Sequence, residues 1–213
     1  MSAFDERRGQ DIEKLRTLAA GSGGKVEVLS AAGQPVNLIR VRLKIKTAGT
    51  KSYPRDVQTI TDLTIKLPAR YPFVEPQVQV DTPILHPNVY ASGQICLGVK
   101  WMPSQGLDLL IKRVAKIIAY DADVLNEQSP ANSDALRWYR GLMASNPGAF
   151  PSDSSDLKDT EVKRTLKWGN IPADKSGKTV VSCPKCSAKL SLPAGKSGLV
   201  KCPKCDNKFD VKT

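Results

Sequence analysis

Two identical tetrapeptides, Cys183-Pro184-Lys185-Cys186 and Cys202-Pro203-Lys204-Cys205, stand fifteen residues apart near the end of the chain. Each CxxC pair turns two thiolates towards one point, and this separation lies in the range of structural zinc sites. Four thiolates close a tetrahedron of Zn–S bonds near ~2.3 Å and leave no open position for zinc chemistry. A segment of this size buries too little surface to fold unaided, so metal binding would supply its folding free energy. Residues 179–213 are therefore expected to form a zinc ribbon holding one structural zinc through Cys183, Cys186, Cys202 and Cys205. A thioredoxin-like dithiol needs a larger fold around it. Seven Lys against two Asp from Thr179 onwards favour an anionic partner for this module. Gly177-Lys178-Thr179 and Gly195-Lys196-Ser197 echo the end of a phosphate loop, but Pro172 and Leu190 stand where its first glycine is needed.

With four of five cysteines assigned, Cys96 is left unpaired in the longer N-terminal part. Apolar residues at 40% and charged residues at 25% are ordinary for a domain with a buried core. No apolar run approaches the ~20 residues needed to cross a bilayer, and the N-terminus lacks the apolar stretch of a signal peptide. Cysteines spaced for metal rather than disulfides agree with a reducing compartment, so the expected location is cytoplasmic, with no membrane association. Net charge +11 is compatible with an anionic partner, but aromatics are only 6% and are not interleaved with basic residues. That argues against nucleic-acid binding as the main role.

Periodicity divides the rest. Phe4, Ile12, Leu15, Leu18 and Ala19 share a helical face behind a capping box at Ser2-Ala3-Phe4-Asp5, and Gly21-Ser22-Gly23-Gly24 ends it. Val26 and Val28 open a strand. Past a turn at Ala32–Pro35, Ile39, Val41, Leu43 and Ile45 alternate with Arg40, Arg42, Lys44 and Lys46, one face buried and one wet. Val57, Leu63, Ile65 and Leu67 mark a third strand and Val78 and Val80 a fourth, giving an antiparallel meander. From Pro83 to Pro103 the periodicity stops, and long loops within compact domains are usually functional. Leu107, Leu110, Ile111, Val114, Ile117 and Ile118 form the stripe of a buried helix. Another helix starts behind Asn132 as N-cap, with Ala135, Leu136, Tyr139 and Met143 inward. After Ser145 the composition becomes that of a linker, with a weakly helical stretch over Leu157–Trp168.

Within the irregular segment and just before it, Tyr71-Pro72-Phe73, His86-Pro87-Asn88, Gly93, Ile95-Cys96-Leu97, Trp101 and Pro103 occur in an order that resembles the ubiquitin-conjugating enzyme family. The resemblance covers residues 3–145 and includes His86 standing ten positions before the cysteine. It implies an α+β fold: an N-terminal helix, a four-stranded antiparallel meander, an active-site loop and C-terminal helices. The domains are then 1–145, a conjugating-type catalytic domain; 146–178, a linker with a docking helix; and 179–213, the ribbon. The resemblance further implies that Cys96 accepts a ubiquitin-like protein from an activating enzyme as a thioester and passes it to an amine, lysine being the expected acceptor. Asn88 matches the asparagine credited with oxyanion stabilisation or loop support, and His86 a histidine of structural role. Phe73, Pro103 and Ser104 match positions where ligases dock, and Arg7, Arg8 and Lys14 a region that meets the activating enzyme.

Three departures bear on the chemistry. The stretch from Cys96 to Trp101 is short for the family, and Gly98 stands where an acid is common. In the gate segment Asn126–Asn132, Ser129 takes the place of an aspartate that orients or deprotonates the lysine, with Glu127 or Asp123 as substitutes. Glu75-Pro76 replaces a proline pair, a surface change. The reading is a conjugating enzyme from a divergent, prokaryotic-type branch, with the ribbon recruiting a target or partner. Its rivals are an inactive scaffold of the same fold and a zinc-ribbon nucleic-acid binder.

Overall fold

The computed structural model describes residues 3–154, 157, 178–193, 195 and 197–212. The chain divides into two compact units, Met1–Val162 and Lys163–Thr213.

In the first unit, β1 (Val26–Ala32), β2 (Leu38–Leu43), β3 (Thr61–Lys66) and β4 (Gln77–Val80) pair antiparallel in chain order, the expected meander. Alternation fixes the register: Ile39 faces Ile65, Val41 faces Leu63, and Leu63 faces Val80, all buried. A one-residue slip would turn every one of them to water. On the opposite face Arg42 stands across from Asp62 and donates two hydrogen bonds to its carboxylate, at 2.7 and 2.9 Å. Those bonds hold Asp62 below the usual carboxylate range. Lys44 lies 3.4 Å from Glu27, so the basic face is partly neutralised within the sheet. The strands are shorter than the alternation suggests. Ile45 is buried beyond the end of β2, and Val57 is exposed before the start of β3. Gly49 and Pro54 interrupt the chain between them with turns.

Helix α1 (Ala3–Gly21) buries Ile12, Leu15 and Leu18 against the sheet, while Phe4 is exposed and meets Phe73 edge-on at 6.0 Å. Ser2, the expected cap, lies outside the described residues. Of the three basic residues read as partner-facing, Arg8 is turned inwards, while Arg7 is half-buried. Arg8 is buried and donates to the backbone oxygens of Val36 and Pro68, at 2.8 and 2.7 Å. Arg7 donates to buried Asp11 at 2.6 Å, which also accepts from the Tyr71 hydroxyl at 2.6 Å. Lys14 is half-exposed and reaches the same carboxylate at 3.3 Å. Buried polar groups must find partners inside, and this cluster ties the first helix to the turn carrying Phe73.

Helix α2 (Leu107–Ile118) is buried along its whole apolar stripe. It is followed by a short 3₁₀ turn, Ala122–Val124, and by α3 (Ser133–Ser145). The Asn132 side chain accepts from the Ala135 N–H at 3.0 Å, the predicted cap, with Ala135, Leu136 and Tyr139 buried and Met143 half-buried. After α3 the chain stays packed on this unit. Phe150 is buried among Tyr53, Tyr120 and Tyr139, its ring 4.4 Å from that of Tyr120. The Ser152 N–H reaches the Ala119 carbonyl at 2.9 Å, and Leu157 joins the main core. The rest of the helix read over Leu157–Trp168 lies outside the described residues.

The second unit holds two hairpins, β5 (Lys178–Ser182) with β6 (Lys189–Pro193) and β7 (Ser197–Lys201) with β8 (Lys208–Lys212). They repeat one design nineteen residues apart, as from Cys183 to Cys202. The Cys183 N–H bonds to the Ala188 carbonyl at 2.9 Å and the Cys202 N–H to the Asn207 carbonyl at 2.8 Å. Ser187 and Asp206, one residue past each knuckle, both take φ 55°. Among the described residues, no helix is long and apolar enough to cross a membrane.

Candidate functional site

Residues 83–103 form no regular element, yet their backbone is closely tied down. The Ile95 N–H bonds to the Val78 carbonyl of β4 at 2.9 Å, and the Cys96 N–H to the Asn88 carbonyl at 2.8 Å. Gly93 is needed for this return. Its φ is 85°, and a Cβ there would lie 2.8 Å from the Val80 carbonyl oxygen. Further along, the Trp101 indole N–H donates to the Pro72 carbonyl at 2.6 Å and pins the end of the loop to the Tyr71–Phe73 turn. Cys96 is half-buried between buried Ile95 and Leu97.

His86 and Asn88 are fully buried beneath it. The Asn88 N–H donates to His86 Nδ1 at 2.9 Å, which places the imidazole proton on Nε2. The ring lies 4.2 Å from that of Tyr120. Nε2 makes no hydrogen bond of ordinary geometry, although the Ile117 carbonyl is near enough to favour the charged form slightly. Burial outweighs that effect and lowers the His86 pKa to about 3. A neutral histidine in the native state and an ordinary one near ~6.5 in the unfolded chain link folding to pH. The stability that this histidine contributes is complete above pH ~6.5. It is lost as pH falls towards about 3, by ~1.4 kcal/mol per pH unit. Because the chain has one histidine, its proton NMR signal is expected to stay in the neutral position down to acid unfolding, and urea titrations between pH 7 and 4 should show the slope.

The Asn88 side chain joins two segments distant in sequence. Nδ2 donates to the Val124 carbonyl at 3.0 Å and to the Cys96 carbonyl at 3.3 Å, while Oδ1 accepts from the Asn126 N–H at 3.0 Å. The Asn132 N–H bonds to the Pro87 carbonyl at 3.0 Å. The cysteine loop and the gate segment are thus fastened to each other through residues 86–88. Ser129 is exposed on that segment. Its N–H bonds to Asn126 Oδ1 at 3.1 Å, one residue removed from the Asn88 network. Of the four residues singled out, His86, Asn88 and Cys96 are joined by direct hydrogen bonds and Ser129 is not. Glu127 is engaged by Arg140, whose Nε lies 3.0 Å away.

Sequence reasoning missed Arg113. Its Nε donates to the Leu97 carbonyl at 2.7 Å, and burial lowers its pKa, partly offset by the neighbouring Cys96. A Cβ on Gly98, whose φ is 69°, would lie 3.7 Å from its guanidinium. A charged residue flanking a buried stripe carries no signal that separates this seat from an exposed one. The cleft beside Cys96 is also lined by Val78, Tyr90, Gln94, Gly98 and Glu75, the last of them exposed as a surface change should be.

In the second unit the four cysteine sulfurs lie within 4.8 Å of one another, with Cys183–Cys205 and Cys186–Cys202 both 3.7 Å apart. Four sulfurs ~2.3 Å from one ion in a tetrahedron stand about 3.8 Å apart, so the donor set fits a zinc ion. Burial alone would raise the Cys183 thiol, but the N–H groups of Lys185 and Cys186 and the thiols of Cys205 and Cys186 bring it down to about 6. At Cys205 the Asn207 N–H favours the thiolate, yet burial and the three other thiols push the pKa up. Thiolates this close cannot all ionise without a cation between them.

Comparison with known proteins bears on the first unit. A family model described as "Ubiquitin-conjugating enzyme" matches residues 31–145, more than half of the chain. A ubiquitin-conjugating enzyme E2 of African swine fever virus (isolate Pig/Kenya/KEN-50/1950) is 29% identical over 116 residues, 48% of this chain and 47% of the viral protein. Ubiquitin-conjugating enzyme E2 T of Xenopus laevis is 26% identical over 129 residues, 55% of this chain and 67% of that protein. The mouse E2 T is 41% identical over 66 residues, 31% of each chain. The chain thus spans about half the length of the viral relative and about a third of the mouse one. The matched region contains the whole Cys96 loop and its Asn88 brace, and the chain belongs to the ubiquitin-conjugating enzyme family.

Proposed function

We propose that this protein is a conjugating enzyme that carries a ubiquitin-like modifier as a thioester on Cys96 and passes it to an acceptor amine, lysine by preference. The observation that carries the reading is the half-buried Cys96, held by the backbone and side chain of a buried Asn88 in a loop tied down at both ends. A thiolate is both nucleophile and leaving group, and acyl exchange between thiols is nearly neutral in free energy, so loading needs access and orientation more than a strong base. The neutral, buried His86 suits a structural role in that loop and not that of a general base.

Asn88 braces the loop against the gate segment. Its bond to the Cys96 carbonyl is the longer of its two donor contacts and the one that can be redirected to an oxyanion forming on the thioester. The modifier and its activating enzyme are the partners required. Exposed Phe73, Pro103 and Ser104 offer a surface for a ligase. The second unit holds a structural zinc through its four cysteines and recruits a target or pathway partner by way of its lysines.

The test is adduct formation. With an activating enzyme, ATP and ubiquitin-like modifiers, the wild-type protein is expected to give a thiol-labile adduct on a non-reducing gel. Cys96→Ala is expected to give none, and Cys96→Ser an adduct that resists thiol. No wild-type adduct with partners shown to be active would leave the chain as an inactive scaffold of this fold.

A further inference from the structure

Discharge of a thioester to lysine poses a proton problem. The ammonium has a pKa of ~10.4 and cannot attack while charged. The residues named for that step do not solve it here: Ser129 has only a hydroxyl, the Glu127 carboxylate is engaged by Arg140, and Asp123, exposed on the 3₁₀ turn, is not among the residues lining the Cys96 cleft. Gly98, beside the nucleophile, has no side chain.

Among the described residues that line the cleft opening onto Cys96, one carries a charged side chain, Glu75. It follows the Tyr71–Phe73 turn and precedes β4, and that strand's Val78 carbonyl receives the Ile95 N–H immediately before the cysteine. Cys96 and Glu75 therefore sit on adjoining stretches of backbone that are hydrogen-bonded together. Among the described residues Glu75 makes no hydrogen bond and no ion pair, so its carboxylate is not committed elsewhere. The side chain is exposed to solvent, and partial burial raises its pKa, the direction that suits a proton acceptor. Cys96 and Tyr90 face the same cleft. Arg113 lies in an adjoining hollow that Glu75 also lines, but its Nε is committed to the Leu97 carbonyl.

We propose that Glu75 receives the proton of the acceptor amine as that amine attacks the thioester on Cys96. The inference rests on the carrier role proposed above and names the residue that completes it. The lysine ammonium gives one proton to the Glu75 carboxylate, and the neutral nitrogen adds to the thioester carbonyl. The oxyanion collapses as the C–S bond breaks, and the Cys96 sulfur leaves as thiolate with the bonding pair. The nitrogen then loses its second proton to water and the amide is complete. Glu75 returns its proton to solvent through the open cleft.

The experiment uses the full chain loaded with ubiquitin by a ubiquitin-activating enzyme, with ATP then removed and free L-lysine added as acceptor. Loading of Glu75→Gln is expected to match wild type, because thiol exchange needs no lysine deprotonation. Its discharge to lysine at pH 7 is expected to be ~10²-fold slower, with Glu75→Asp intermediate. The gap should narrow towards pH 10, where the amine arrives neutral. Equal discharge by wild type and Glu75→Gln overturns the assignment, as does a deficit that is the same at every pH. Failure of the wild-type protein to load with ubiquitin and with every ubiquitin-like modifier of the adduct test, each with an active activating enzyme, sinks the carrier role itself, a result distinguishable from either.

Discussion

Asn88→Ala is expected to slow discharge of loaded Cys96 on the order of 10²-fold, the usual consequence of removing an amide donor from an oxyanion site. A second consequence follows from its position. The side chain is fully buried and satisfies the carbonyls of Val124 and Cys96 and the N–H of Asn126. Truncation strands these groups, and one buried unsatisfied polar group costs ~1–3 kcal/mol. Two readouts separate the roles. A lowered melting temperature with slower loading as well as slower discharge reports the brace. Slower discharge with loading preserved reports the oxyanion contact, and Asn88→Asp, which keeps an acceptor for the Asn126 N–H but sets a buried carboxylate against the carbonyl oxygens of Val124 and Cys96, should lower the melting temperature at least as much as alanine. Rates for both half-reactions and a thermal melt on each variant are the measurements. Unchanged discharge in Asn88→Ala would remove this residue from the mechanism.

Removing metal is expected to melt the second unit and leave the first intact. Among the described residues, the buried side chains of this unit are Cys183, Cys202 and Val211. One buried valine contributes ~2 kcal/mol, no more than the ordering cost of one or two residues. Four thiolates on one zinc supply far more, ~10–16 kcal/mol in small zinc peptides. Chelation should therefore collapse the amide NMR signals of residues 178–212 into the unfolded range while those of residues 3–154 stay dispersed. Cys202→Ser should do the same without chelator, and metal analysis should return one zinc per chain. Retention of the hairpins after complete metal removal would overturn this account.

Periodicity announced the buried stripe of α2 and the register of the sheet, though not the exposure of Phe4 and Val57. All six apolar positions assigned to α2 are buried, and the alternation over Ile39–Leu43 fixed the sheet register. Seats that depend on side chain–backbone contacts were hidden. Asn88 could be singled out, but its partners at 124 and 126 are backbone groups, which every residue carries alike. The 3₁₀ turn at Ala122–Val124 is too short to have a period. Arg8 looked like a surface cation because its neutral partners, the carbonyls of Val36 and Pro68, are likewise anonymous in the sequence. Nothing in Asn146–Asp153 apart from one aromatic residue advertises the ring cluster that Phe150 enters. Glu75 is exposed, as its reading as a surface change implies, but that it shares a cleft with Cys96 depends on how Glu75–Val78 and Gln94–Val99 meet in the fold, which no local pattern announces.

The repeat within the second unit has a thermodynamic corollary. One hairpin of the Cys183–Cys186 type brings two sulfurs, half of what a tetrahedral ion requires, and alone it would have to find a second molecule, so the fraction holding metal would rise and fall with its own concentration. Two hairpins in tandem turn that encounter into an intramolecular one, at an effective concentration set by the three residues between Pro193 and Ser197. Folding of this unit should consequently respond to free zinc and be indifferent to dilution of the protein.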